Sequence, residues 1–234
     1  MTPKSVEALW QDFDDLTTSG HWSAAKRILD TLLEREPGSA FVLLQMSYVE
    51  SFQGSYRKAR DYALQACRTK SREVGILNDL CNRLRTFNEA LELREFIAKV
   101  SADPGVNTFL LVTLAGQLNN LNDSHRAIAL LDQAKGHRSN PQIMVARAST
   151  LIHLGRFDEA ETELKQALIA APTHAYGYWL LSRLRKQTHT SNHVARLSSL
   201  LQNTKPGAGA DLLAFALHKE LDDLDDYAGA WKAL

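Results

Sequence analysis

A recurrence about every 34 residues constrains this chain more than any other feature. It reads Gly20-x-Trp22-x-x-Ala25, then Gly54-x-Tyr56-x-x-Ala59. Phe87-x-x-Ala90 and Asn122-x-Ser124-x-x-Ala127 continue it, Gly155-x-Phe157-x-x-Ala160 restores it in full, and Asp225-x-Tyr227-x-x-Ala230 echoes it last. The alanines from Ala25 to Ala160 fall 34, 31, 37 and 33 residues apart. A period of this length predicts stacked helix pairs, because one pair alone cannot bury its apolar face. No sustained apolar/polar alternation and no Asn-Gly or Asp-Gly turn competes with that reading.

The prolines support the frame. Pro37, Pro104, Pro141, Pro172 and Pro206 lie at predicted unit boundaries, and Pro3 opens the first helix. Inside a helix proline would remove a hydrogen bond and clash with the preceding turn. The gap from Pro37 to Pro104 holds two units, with the unmarked junction near Ser71. The clearest unit predicts a helix from Pro141 to Leu154, N-capped by Asn140, and a second from Phe157 to Ala171. Phe157, Ala160, Leu164, Ala167, Leu168 and Ala171 share one face of that second helix. Ala148, Ala160 and Ala167 are expected where helices cross most closely, with Glu161 and Lys165 as an exposed pair.

These segments resemble a known family. GRFDEAETELKQALIAAP (Gly155 to Pro172) and GHWSAAKRILDTLLEREP (Gly20 to Pro37) are similar to the second half of a tetratricopeptide repeat. The resemblance implies an all-α, right-handed α-solenoid of antiparallel helix pairs, forming a single repeat domain. Its seven units span 6–39, 40–70, 71–107, 108–140, 141–174, 175–210 and 211–234, the last truncated. Units three and four carry Arg85 and Asn122 where the turn glycine belongs. Unit six is eroded, with THTSNHVA (Thr188 to Ala195) in place of the turn and alanine.

A second resemblance sits near the C-terminus. Phe215-Ala216-Leu217-x-Lys219-x-Leu221-x-Asp223-Leu224-x-Asp226-Tyr227 is similar to the last repeat before the catalytic domain of bacterial tetratricopeptide-sulfotransferase proteins. AYGYWLLSRLRKQ (Ala175 to Gln187) and RLSSLLQ (Arg196 to Gln202) resemble the preceding unit. That family has glycines where this chain has His218 and Asp225. Its Pro-Arg-Ser-Gly-Thr-Thr type nucleotide loop has no counterpart in this sequence, so the resemblance implies a context and carries over no catalytic residue or cofactor site. Ala230, Trp231 and Leu234 form an apolar end expected to meet further polypeptide or another chain, which also admits end-to-end self-association.

Composition narrows the function classes. Lys plus Arg (27) equals Asp plus Glu (27), so no broad attraction to nucleic acid or anionic membrane is expected. No apolar run reads as a signal peptide or membrane span, which predicts a cytoplasmic chain. Cys67 and Cys81, on neighbouring predicted helices, are expected as reduced core thiols rather than a disulfide. His189 and His193 are four apart, yet Thr190 stands where a zincin has glutamate, and two solvated histidines are expected instead of a metal site. The remaining histidines, His137 among them, show no ligand pairing. Asp222, Asp223, Asp225 and Asp226 lack the pattern of a calcium loop; Asp225 and Asp226 are expected to cap the final helix. No nucleophile set or phosphate loop stands out, so the chain itself is read as non-enzymatic, without cofactor.

The remaining constellation is a peptide groove. In this family the first helix of each pair lines the concave face. Projecting helix spacing onto that frame selects Trp10, Tyr48, Asp79, Asn82, Arg83, Asn119 and Asn120 in the first four units, and His153, Tyr176, Trp179, Arg183 and Lys186 in the next two. Arg183, Lys186 and Lys219 would give the groove a basic end. Aromatic anchors beside amides and cations suit a protein or peptide ligand. The carboxylate-clamp pattern of chaperone-binding arrays is not reproduced.

Overall fold

The computed structural model describes residues 4–103, 105–134 and 140–234; Pro3, Pro104 and His137 lie outside them. The described residues form the helices α1 (Val6–Thr18), α2 (Trp22–Arg35), α3 (Ala40–Phe52), α4 (Tyr56–Arg68), α5 (Val74–Thr86), α6 (Ala90–Ser101) and α7 (Thr108–Asn120). There follow α8 (Ser124–Gln133), α9 (Pro141–His153), α10 (Phe157–Ala170), α11 (Ala175–Leu184), α12 (Val194–Gln202), α13 (Ala208–Asp223) and α14 (Tyr227–Lys232). Apart from one antiparallel bridge between Thr188 and Ser191, no strand pairing occurs among them. The helices gather into two compact units, Met1–Val106 and Asn107–Leu234. Each is a stack of helix pairs in which successive helices pack on one another, except that α11 and α12 both pack on α13, the α-solenoid class.

One turn joins the members of six pairs. Its central residue has positive φ: Gly20, Gly54, Asn88, Asn122, Gly155 and Asp225. In each, the next N–H reaches back to the carbonyl three residues inside the finished helix. His21 bonds Leu16 at 2.8 Å, Glu89 bonds Leu84 at 2.9 Å, and Arg156 bonds Leu151 at 2.9 Å. The positive-φ residue adds its own N–H to the following carbonyl, as Gly155 does to Ile152 at 3.0 Å. This doubly bonded closure satisfies carbonyls the first helix leaves open and starts the second helix two residues on. Glycine suits the left-handed backbone because it has no Cβ, and asparagine and aspartate are the usual substitutes.

The turn corrects the register expected for the third pair. Asn88, with φ of 58°, fills the glycine position, whereas Arg85 lies within α5. The residue that enters the crossing in α6 is therefore Leu93, fully buried, and Ala90 is the first residue of the helix. With Leu93 in the series the spacing becomes 34, 34, 34 and 33, from Ala25 through Ala59, Leu93 and Ala127 to Ala160. Asp225 likewise holds the left-handed turn, and Asp226 alone caps α14, accepting Gly229 N–H at 2.9 Å.

The second unit has its core at the crossings of α9 to α13. Ala148, Ala160 and Ala167 are fully buried, as are Leu164 and Leu197. Phe157 departs from expectation: it opens α10 beside the turn and is 49% exposed, while Ala160, Leu164, Ala167 and Leu168 carry the buried face. In the first unit Leu9 and Phe13 of α1, Ala25, Leu29 and Leu32 of α2, and Val42, Met46 and Val49 of α3 form one cluster. Glu50, at the turn carbonyl where the five other pairs carry leucine, is buried against Lys26 at 2.6 Å. The sixth pair is irregular. The segment Arg185–His193 separates α11 from α12, and both helices pack on α13.

The register predicts a contrast. Asn88→Val should cost about 1–2 kcal/mol in urea unfolding, because a β-branched residue is forced into the left-handed region. Asn88→Gly should be neutral or mildly stabilising, whereas Arg85→Gly, in the last turn of α5, should cost up to about 1 kcal/mol.

Candidate functional site

The groove candidates of the first unit divide between surface and core. Trp10 meets Phe13 edge-on at 5.5 Å and leans on Phe41 at 4.9 Å. Tyr48, Asp79 and Asn82 are half-buried. Burial, and then the neighbouring Asp79 carboxylate, hold the Tyr48 phenol above its ordinary pKa. Arg83 is buried. Its Nε donates to Ser47 Oγ at 3.0 Å, and its Nη2 donates to the Ser47 carbonyl at 2.8 Å and Ser51 Oγ at 2.6 Å. The guanidinium lies 4.4 Å from the Tyr48 ring centre and 4.7 Å from that of Phe87, and burial draws its pKa down. Arg83 thus ties α5 to α3, with its donors already engaged.

In the second unit the first helices of successive pairs adjoin in the order α7, α9, α11, α13. Asn119 is buried on α7, donating Nδ2–H to Thr150 Oγ1 of α9 at 3.0 Å, while its amide oxygen finds no partner. Asn120 and His153 are exposed near the ends of those helices. The most developed surface is on α11. Tyr176 and Trp179 stack with ring centres 5.5 Å apart and planes 19° apart. The Arg183 guanidinium covers the Trp179 ring at 4.4 Å. Tyr176, Arg183 and Lys186 are exposed and Trp179 is half-buried.

Local sequence explains how α11 is held. His174 caps it, its Nδ1 accepting Gly177 N–H at 3.1 Å. A Cβ at Gly177 would stand 3.2 Å from the Leu168 side chain, so glycine lets α11 approach α10 closely. Beyond α11, Gln187 N–H donates to Asp223 at 2.7 Å and Lys219 Nζ donates to the Arg185 carbonyl at 2.5 Å. Lys219 therefore serves the segment after α11 and also pairs with Asp223.

Sequence reasoning missed one buried pair. Glu220 is 1% exposed and accepts both the His193 backbone N–H and, at 2.9 Å, its Nδ1. His193 is thus a partner of α13 rather than a solvated side chain; a separation of 27 residues across an eroded repeat gives no local signal. A cavity of about 600 Å³ lies among α8, α9 and α10, where Arg147 is held between Asp132 and Glu163. Cys67 and Cys81 are free thiols, each raised to about 12 by burial. Among the described residues no group of three His, Cys, Asp or Glu is arranged to hold a metal ion, and no helix is long and apolar enough to cross a membrane.

Helix pairs closed by one repeated turn define an α-solenoid, and part of the chain matches a family of such repeats. Residues 121–198 match the family model of the tetratricopeptide repeat. No curated protein matches the chain. Among solved structures it is similar to a tetratricopeptide repeat protein from Parabacteroides merdae, with 14% identity, TM-score 0.58, and 97% of this chain and 90% of that one covered. PilF of Pseudomonas aeruginosa aligns with 16% identity and TM-score 0.51 over 97% of each chain. The C-terminal part of a TPR repeat-containing protein from Cytophaga hutchinsonii aligns with 10% identity and TM-score 0.52, over 96% and 98%. The family match is to residues 121–198, and the solved structures share the helical-repeat fold over nearly the whole chain.

Two outcomes follow. Arg83→Met should destabilise the chain by about 2 kcal/mol in urea unfolding, since it strips charged hydrogen bonds from buried acceptors. At pH 8, iodoacetamide should leave Cys67 and Cys81 unmodified in the folded chain and alkylate both in urea. Their raised pKa keeps the thiol form below about 12, and the thiolate is the nucleophile.

Proposed function

We propose that this chain is a non-enzymatic scaffold that binds a polypeptide on the face formed by the first helices of its pairs, acting in the cytoplasm. The observation that carries the reading is the α11 surface. An aromatic stack with a guanidinium laid over it is a preformed, low-entropy platform of the kind that anchors partner chains. Exposed amide and imidazole groups at the ends of α7 and α9, Asn120 and His153, add polar contacts along the same row of helices. Trp10 with Phe41 offers a second aromatic anchor in the first unit. The repeat family supports binding of proteins or peptides in general terms.

A second reading places the array as the substrate-recruiting region of a larger sulfotransferase. It is favoured by the resemblance of Phe215 to Tyr227 and by the exposed Phe215, Tyr227 and Trp231 on the α13–α14 face. Coding sequence continuing past Leu234 into a phosphosulfate-binding loop would establish it; an immediate stop codon would remove its support.

The principal reading predicts that Trp179→Ala combined with Arg183→Ala weakens a purified partner at least about tenfold, the size expected for a hot-spot pair, with unchanged circular dichroism. Unchanged affinity would discard the α11 face as the binding surface.

A further inference from the structure

Most of the described cations of the second unit are ion-paired. Arg126 pairs with Asp123, Arg147 with Asp132 and Glu163, and Arg156 with Glu159. Lys165 and Arg185 share Glu161, Arg185 also takes Asp158, and Lys219 takes Asp223. Arg196 donates to the Pro172 carbonyl at 2.8 Å. Glu220, the buried carboxylate of α13, is taken by His193. Among the described residues of this unit, that leaves Arg183, Lys186, Lys205 and Lys232 without an anionic or hydrogen-bonding partner. Lys205 precedes α13 and Lys232 lies on α14, whereas Arg183 lies over Trp179 of the Tyr176–Trp179 stack and Lys186 follows three residues on, just past the end of α11.

A cation left unpaired over a partly exposed aromatic pair, with a second cation three residues on, suits a ligand of opposite charge. The carboxylates that hold the segment after α11, those of Asp158, Glu161, Asp223 and Glu220, are already committed. Arg183 and Lys186 are thus open to an anion supplied from outside the chain. Arg183 is also suited to the task. Its guanidinium lies over Trp179 with no hydrogen bond to the described residues, which leaves its N–H groups free for a two-pronged bond to a carboxylate.

We infer that α11 selects acidic peptides: a segment carrying an aromatic or large aliphatic residue for the Tyr176–Trp179 platform, with Asp or Glu beside it for Arg183 and Lys186. This rests on the polypeptide-binding reading above and adds to it the chemistry of the partner.

The test is a selection of random dodecapeptides displayed on phage against the full chain, followed by affinity measurement of the recovered synthetic peptides. The expected result is recovery of peptides rich in Asp and Glu next to an apolar residue. Affinity should fall about tenfold or more for Arg183→Gln with Lys186→Gln, and less than about twofold for the control Lys205→Gln with Lys232→Gln, which removes the same charge elsewhere. Replacing the peptide's Glu by Gln should reproduce the loss. Both protein variants alter exposed side chains, and matching circular dichroism and melting curves confirm that each is folded. Recovery of neutral or basic peptides, or of acidic peptides equally weakened by the control pair, overturns the inference and leaves the polypeptide-binding reading standing. Recovery of no peptide above an unrelated helical protein overturns both.

Discussion

The repeated left-handed turn is the constraint from which the rest of the structure follows. A helix that ends in water leaves its last carbonyls without partners. Here the same two backbone bonds close the helix and reverse the chain, so the second helix begins only two residues later. The reversal also fixes which residue of the second helix enters the crossing. It is Ala25, Ala59, Leu93, Ala127, Ala160 and Ala230, all fully or nearly fully buried. A geometry of such short range, repeated about every 34 residues, produces a stack whose members lean on their neighbours.

The parts of this design written in local sequence were legible before the structure. The turn glycines, the junction prolines and the alanines of the fifth pair give helix bounds within a residue of those observed. The third pair was misread because two signals changed together. Asparagine took the glycine's place and leucine the alanine's, and nearby Ala90 offered a false match. Phe157 was assigned to the core by its apolarity, although a position next to the reversal faces outward. Arg83 shows the limit of periodicity most clearly. Helix spacing locates it, but only the partner helix reveals that Ser47 and Ser51 await its donors. The Glu220–His193 pair depends on two segments that meet only after the sixth pair departs from the pattern.

Two arginines illustrate how the same residue type becomes structure or surface. Arg83 and Arg183 each lie over an aromatic ring at 4.4 Å. Arg83 is buried, and serine acceptors on the adjoining helix satisfy it, so it holds α5 to α3. Arg183 is exposed, and among the described residues the ring beneath it is its one partner. The zero net charge of the chain conceals this difference, which becomes visible only when the partners of each arginine are traced.

Hydrogen–deuterium exchange on the full chain, with and without a bound peptide at saturation, tests the account most directly. Binding on the α11 platform predicts slowed exchange concentrated in residues 175–187 and in the facing turns of α9 and α13, with α4 and α6 unchanged. Protection centred on the second helices of the pairs, with α11 exchanging as in the free chain, would contradict it.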